Sequence, residues 1–470
     1  MLFNSIEFAI FLPVVFVLYW FVTNKNLKIQ NFLLLASSYL FYGWWDWRFL
    51  SLIIFSSFVD YFVGIGLHQT EDQKKRKLLA TTSILVNLGF LGFFKYFNFF
   101  AESFADAFTF LGHPIKATRL NIILPVGISF YTFQTLSYSL DIYKRKLEPT
   151  KDVIAFFAFV SFFPQLVAGP IERASNLLPQ FYKHRTFSYE SASQGFKYML
   201  KGFFMKIVVA DRLSIYVDSV FSNYTQYSGL SYILAMLFFA FQIYGDFAGY
   251  SYIAIGVAKF FGFDLMINFN RPYLARSIKD FWSRWHISLS TWFRDYVYIP
   301  LGGNRAGSFR VSFNLLATFI ISGLWHGANW TFIIWGTIHG AIQVFEKNAF
   351  KTLFKFKAFR FIYPVFVFII AVVAFSIFRS QDMSQAMHII KGAFDFSKPL
   401  FIGNPSIFFY SVLALVSLLT VDLIEEYNQT KETVFLSKKP VLRYLFYAVV
   451  MLFILNTGVF NNSQFIYFQF

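Results

Sequence analysis

The chain has no cysteine, which excludes disulfides, thiolate metal sites and any acyl-cysteine intermediate. Charge is scarce too: Asp, Glu, Lys and Arg make up 14% of 470 residues, against about 25% in soluble domains. No soluble domain, low-complexity linker or internal repeat stands out. Apolar residues fill the space, at 57% of the chain with 69 phenylalanines. A helix needs about 20 apolar residues to cross the hydrocarbon core, and roughly eleven to thirteen stretches qualify, some short enough to be re-entrant or kinked. Clear examples are "FAIFLPVVFVLYWFV", "FLSLIIFSSFVDYFVGIGL", "YILAMLFFAFQIYG", "YPVFVFIIAVVAFSIF" and "YLFYAVVMLFILNTGVF". The first carries Glu7 and lacks both a basic flank and a small-residue cleavage site, so it reads as a first span and not as a cleaved signal. The composition therefore predicts an all-α, polytopic integral membrane protein.

The net charge of +16 does not form one soluble patch of the kind that binds nucleic acid. Its strongest clusters sit in alternate loops between apolar runs: Lys25 and Lys28, then Lys74, Lys75, Arg76 and Lys77, then Lys144, Arg145, Lys146 and Lys151. Cytoplasmic loops are enriched in this way, which predicts that these three loops face the cytosol and that the N-terminus is extracytoplasmic.

One hydrophilic stretch is too aromatic for a solvated loop. Between residues 269 and 310, Trp282, Trp285 and Trp292 interleave with Arg284, His286 and Arg294. Indoles and guanidinium groups at that density suit the lipid interface. Within it, "SIKDFWSRWHISLSTWFRDY" has no Gly or Pro and predicts one helix at or through the interface, ended by Pro300, Gly302 and Gly303.

Chemistry is sought among seven histidines. His68, His113 and His184 fall in polar loops and His388 in a mixed segment, where solvation explains them. His286 lies in the aromatic stretch, His326 ends the apolar run "FNLLATFIISGLW", and His339 lies in the next one. An ionisable ring at membrane depth is expensive unless it faces a cavity or a partner, so each is a candidate site residue; the bland alternative is an imidazole bonded to a carbonyl between helices. Gly327 predicts a helix break beside His326 that opens room for substrate. Asn329 offers a hydrogen-bonding amide there, and Trp325 and Trp330 apolar walls. A desolvated neutral imidazole is in the correct state for a general base.

"FWSRWHISLSTWFRDYVYIPLGGNR", followed by "GLWHGANWTFIIWGTIHG", resembles the membrane-bound O-acyltransferase family, in its bacterial branch that O-acetylates alginate, peptidoglycan and other exported glycans. "ILPVGISFYTFQTLSYSLDIY", "FFPQLVAGPIERA" and "YGDFAGYSYIAIGVAKFFGFDLMINFNRPY" are similar to the same branch, so the likeness spans nearly the whole chain. One departure is Tyr252, where the branch suggests an acid; Asp246 is the only carboxylate near it.

The resemblance implies helices around a central tunnel, as one membrane-embedded domain: residues 1–120 N-terminal helices, 121–345 the catalytic core and 346–470 C-terminal helices. It carries the catalytic histidine onto His326 and the second polar active-site residue onto His286; the residues themselves add Asn329, Trp325, His339 and Asp246 as candidate supports. Whether His286 or Asn329 orients the base or stabilises the oxyanion stays open. It further implies acetyl-CoA as a cytosolic donor, no bound cofactor or metal, an exported polysaccharide as acceptor, an extracytoplasmic acetyltransferase as partner, and the bacterial inner membrane as location. Arg271, Arg276, Arg284, Arg294 and Arg305 are candidate ligands for the donor's phosphates, snorkelling to lipid being the alternative. Two rival functions are D-alanyl transfer to teichoic acid on the same fold and glycan transport, the latter disfavoured by the lack of repeats.

Overall fold

The computed structural model describes residues 1–167, 169–305, 307–353, 356–428, 440–460 and 465–466. These are helices and connecting loops, with no strand among the described residues. Six helical stretches are long and apolar enough to cross a membrane, and Ile6–Val22, Val153–Leu166 and Tyr444–Thr457 are shorter apolar helices. Two of the six, Leu27–Gln69 and Gln73–Phe110, each run through two helices, so the sequence-based count and this one differ mainly in where a span is divided. All five quoted apolar runs are helical, apart from residues 458–460 at the end of the last one. The chain is thus a multi-pass membrane protein, organised as two compact units.

The first unit comprises Met1–Ala192 and Val257–Met266. Its helices are α1 (Ile6–Val17), α2 (Leu27–Asp46), α3 (Leu50–Gln69), α4 (Gln73–Leu91), α5 (Phe97–Phe110), α6 (Ile128–Tyr143) and α7 (Val153–Ser161), followed by the single turns α8 (Phe163–Leu166) and α9 (Ala174–Leu177). In lipid, apolar contact adds little between helices, so polar side chains hold them. Asp60 on α3 accepts from Ser83 Oγ and Asn87 Nδ2 of α4 and from Ser139 Oγ of α6, at 2.5 to 2.7 Å. At one end Arg76 of α4 donates to the terminal carbonyls of both α3 and α6, Leu67 and Tyr143 among them, and Arg145 pairs with Glu71. These bonds bring the basic runs 74–77 and 144–151 to the same end of the unit, the arrangement that shared exposure to the cytosol requires.

The second unit comprises Ser193–Gly256 and Ile267–Phe470. It holds most of α10 (Tyr189–Phe203), α11 (Asp211–Ser222), most of α12 (Leu230–Phe260), then α13 (Ile278–Arg284), α14 (Ile287–Phe293), α15 (Ser308–His326), α16 (Trp330–Leu353), α17 (Lys357–Arg379), α18 (Met383–Gly392), α19 (Pro405–Tyr427) and α20 (Pro440–Thr457). Buried ion pairs tie these helices: Lys201 to Glu425 at 2.7 Å, and Lys206 to both Asp211 and Asp246 at 2.7 Å. Removing one partner of such a pair leaves an uncompensated buried charge, so each is a constraint on which helices adjoin.

The stretch predicted as one interfacial helix is not one. It breaks at Trp285–His286 into α13 and α14 and then passes into a π-helical turn, Arg294–Tyr298. His286 at the break adopts a left-handed backbone, φ 42° and ψ 54°. Propensity alone does not break a helix there; two backbone bonds from the extended segment before α13 do. Ile287 N–H donates to the Asn268 carbonyl at 2.9 Å, and Asn270 N–H to that of Arg284 at 2.8 Å. The break expected beside His326 is present: α15 ends at that residue and Gly327 is extended.

Candidate active site

Three helices of the second unit carry a row of alternating imidazole and indole rings. Trp325 and His326 close α15, Trp335 and His339 lie one turn apart on α16, and Trp282 is on α13. The ring centres of His286 and Trp325 are 6.3 Å apart, Trp325 and His326 4.8 Å, His326 and Trp335 5.0 Å, and Trp335 and His339 5.0 Å. Trp282 completes the row, its indole N–H donating to His339 Nδ1 at 3.4 Å. The sequence thus picked three histidines that the fold brings into one row. All three are buried, at 2% exposure or less.

The row holds together because α15 and α16 pack as a tight hairpin. Gly323 and Gly336 face each other, and a methyl group on either would collide with a carbonyl oxygen of the opposing helix, that of Phe332 or of Phe319. Backbones can approach that closely only where both side chains are absent. A methyl at Gly327 would strike the Phe332 ring, so the glycine after His326 serves this packing.

His286 hangs from the extended segment before α13. Its Nδ1 lies 3.2 Å from Asn268 Oδ1, and that oxygen also accepts from Ser288 Oγ at 2.9 Å. His286 sits in the break between two short helices, outside the six long apolar ones, and burial pushes its imidazole down to about 3, so the ring is neutral. Asn268 was not among the residues singled out in the sequence. Its one signal there is an amide inside the apolar run "FDLMINF".

A cavity of about 670 Å³ lies alongside, walled by α13, α14, α15, α16 and the π-helical turn. Its lining includes Trp282, Ser290, Arg294, Ser322, Gln343 and Glu346, with Lys279 and Lys347 also contributing. None of the three histidines is among the lining residues: Trp282 belongs both to this wall and to the row, and Ser322 precedes His326 by one helical turn. The cavity meets the histidine row at Trp282.

Several expected supporting residues are engaged elsewhere. Asn329 caps α16, accepting from Thr331 N–H at 3.0 Å while its amide donates to the Gln381 carbonyl at 2.7 Å. It therefore serves as a helix cap. Trp330 is 56% exposed. Asp246 is bound to Lys206 and accepts from the Ile466 N–H; its neighbour Phe247 is the residue that reaches His286, at 4.5 Å between ring centres. At the departure from the family pattern, the Tyr252 hydroxyl donates to the Phe269 carbonyl and its ring lies over the Lys201 ammonium.

The five arginines separate into two groups. Arg271 and Arg284 both grip Glu426 on α19, at 2.8 and 3.0 Å, and Arg284 also holds Asp280. Arg276, Arg294 and Arg305 are exposed, and Arg294 both pairs with Asp295 and lines the cavity. Sequence reasoning missed Lys279, Lys347 and Glu346, the cavity's other charged groups. Glu346 is buried and caps α13 through Ile278 N–H and Lys279 N–H, at 2.6 and 3.0 Å, while accepting from the Tyr363 hydroxyl. A signal for it existed: His339, Gln343 and Glu346 share one face of a helix by their spacing.

Chemically, the row offers imidazoles that can accept a proton and a buried indole donor, Trp335 Nε1, that has no hydrogen-bond partner among the described residues. No group of residues with metal-ligand geometry occurs among the described residues.

Comparison with known proteins agrees with this inventory. Residues 144–381, which include all three histidines, match the model of the membrane-bound O-acyltransferase family. A probable alginate O-acetylase of Azotobacter vinelandii is 40% identical over 400 residues, covering 84% of this chain and 78% of the relative. The peptidoglycan O-acetyltransferase of Helicobacter pylori is 36% identical over 423 residues, 83% of this chain and 79% of the relative. A teichoic acid D-alanyltransferase of Bacillus subtilis matches at 31% over 255 residues, 51% of this chain. With a family match across the histidine row and relatives similar over most of its length, this chain belongs to the membrane-bound O-acyltransferase family.

Proposed function

We propose that the chain O-acetylates an exported cell-surface polysaccharide, alginate-like or peptidoglycan, using acetyl-CoA from the cytosol and His326 as the general base. It is a membrane O-acyltransferase by family, and the names of its relatives over most of its length support acetyl as the group and an exported glycan as the acceptor. The observation that carries the reading is the placement of His326: a buried imidazole at the broken end of α15, one turn past the wall of a 670 Å³ cavity.

A hydroxyl is too weak an acid to attack a thioester unaided. In the proposed step the acceptor hydroxyl oxygen bonds to the thioester carbonyl carbon while His326 takes its proton. The carbon–sulfur bond then breaks, and the leaving thiolate recovers that proton from the imidazolium. The transient oxyanion needs a donor already in place, and the Trp335 indole N–H is the buried candidate beside His326. Lys279, Arg294 and Lys347 give the cavity cations for the donor's phosphates. The bacterial inner membrane as location, and an extracytoplasmic transferase that receives or shares the acetyl group, complete the proposal.

D-alanyl transfer is the second reading, and the match to a D-alanyltransferase over only half the chain makes it the weaker one. The test is to delete the gene and quantify ester-linked acetate and D-alanine released from each purified surface glycan. Loss of acetate from one glycan, restored by the wild-type gene, is the expected result; unchanged acetate on every glycan would sink the reading.

A further inference from the structure

The left-handed turn at His286 is held by one residue through both its backbone and its side chain. The Asn268 carbonyl accepts from Ile287 N–H at 2.9 Å, and Asn268 Oδ1 accepts from Ser288 N–H at 3.2 Å and Ser288 Oγ at 2.9 Å. On the other side Asn268 Nδ2 donates to Ser251 Oγ at 3.2 Å. Asn268, His286, Ser288 and Ser251 are all buried.

These bonds settle which atom of the amide faces the ring. A backbone N–H can only donate, so the atom 3.2 Å from Ser288 N is the oxygen; the reverse orientation would set two donors against each other. The same oxygen lies 3.2 Å from His286 Nδ1. Were Nδ1 unprotonated, two lone pairs would face each other in a buried site. Ser288 Oγ, 3.4 Å from Nδ1, does not change this, because its single proton is committed to Oδ1 at the shorter distance. Nδ1 must therefore carry the hydrogen, and in a neutral ring the lone pair is then on Nε2.

We infer that Asn268 is a positioning residue that locks His286 as its Nδ1–H tautomer, so that His286 serves acyl transfer as a hydrogen-bond or proton acceptor through Nε2. This rests on the reading that His286 belongs to the transfer machinery. It separates two roles that the sequence left open, because a neutral ring in this tautomer cannot donate from Nε2 to an oxyanion. The oxyanion donor is another group, and a proton arriving at Nε2 leaves an imidazolium whose Nδ1–H remains bonded to the amide oxygen.

The test is ¹⁵N NMR of the full-length protein in lipid nanodiscs, with all seven histidines labelled. The signal that disappears in His286→Gln identifies the ring, and its proton couplings show which nitrogen is protonated. Nδ1–H in the wild type is expected. Asn268→Asp, which keeps an acceptor oxygen, should keep that tautomer and most of the acetyl-transfer rate. Asn268→Leu should mix the tautomers and lower kcat on the order of 10²-fold with KM for acetyl-CoA unchanged. An Nε2–H ring in the wild type overturns the inference without any variant having to fold, and so does Asn268→Leu with tautomer and rate both intact. His286→Gln at the wild-type rate, with Nδ1–H observed, would instead overturn the role of His286 in transfer and leave the tautomer assignment standing.

Discussion

Gly323 on α15 and Gly336 on α16 meet backbone to backbone, so that a methyl group on the first would lie 3.3 Å from the Cα of the second and collide with the Phe332 carbonyl oxygen. This crossing sets the distance between His326, three residues along α15, and Trp335, the residue before Gly336. Gly323→Ala should cost about 1–3 kcal/mol, as overpacking of a close contact does, and lower acetylation more than protein yield. Acetylation and membrane abundance of the variant, measured together, check this; full activity would show that the crossing does not set the site.

His326→Gln and His326→Ala should both abolish detectable glycan acetylation while the protein remains inserted and folded. An amide keeps a hydrogen bond and cannot take the proton, and general-base catalysis contributes roughly 10²- to 10⁴-fold. Near-native acetylation by a well-expressed Gln variant would reduce His326 to a packing residue.

The arginines expected to hold the donor should behave as two classes. Arg294→Gln, Lys279→Gln and Lys347→Gln alter the charge of the cavity, so at least one should raise KM for acetyl-CoA with the acceptor dependence unchanged. Arg271→Gln and Arg284→Gln instead leave Glu426 short of a partner and should lower the amount of folded protein. Donor titrations of the five purified variants distinguish the classes; a KM effect confined to Arg271 and Arg284 would reverse the assignment.

Glu346→Ala should destabilise the protein by about 1–3 kcal/mol, because two N–H groups at the start of α13 and the Tyr363 hydroxyl lose their acceptor together. Glu346→Gln keeps an acceptor oxygen and should recover part of that loss. Thermal unfolding in detergent measures both, and equal midpoints for all three proteins would remove Glu346 from the frame of the site.

The native absence of cysteine provides a clean background for topology. Single cysteines at Lys75 and Lys146 should react only with reagents that reach the cytosol, since Arg76 and Arg145 tie both runs to one end of the first unit. Labelling of the two from opposite faces of the membrane would contradict both the charge rule and that tie.

Composition alone determined that this is a helical membrane protein, because about 20 apolar residues in succession have few other stable fates and every backbone group in lipid must be bonded within the chain. The rarity of titratable groups at membrane depth likewise made His286, His326 and His339 legible as a set. What composition and spacing could not reveal were contacts between segments far apart in the chain. The break at His286 depends on Asn268, 18 residues earlier; the pairing of Arg271 and Arg284 depends on Glu426, more than 140 residues later; the bond that engages the Asn329 amide depends on Gln381, 52 residues later. A side chain's type sets what bonds it can make, and the packing of the helices decides which of those bonds are within reach. The sequence therefore named candidate chemistry, and the tertiary structure decided which candidate groups adjoin, which ones hold them, and which are bonded elsewhere.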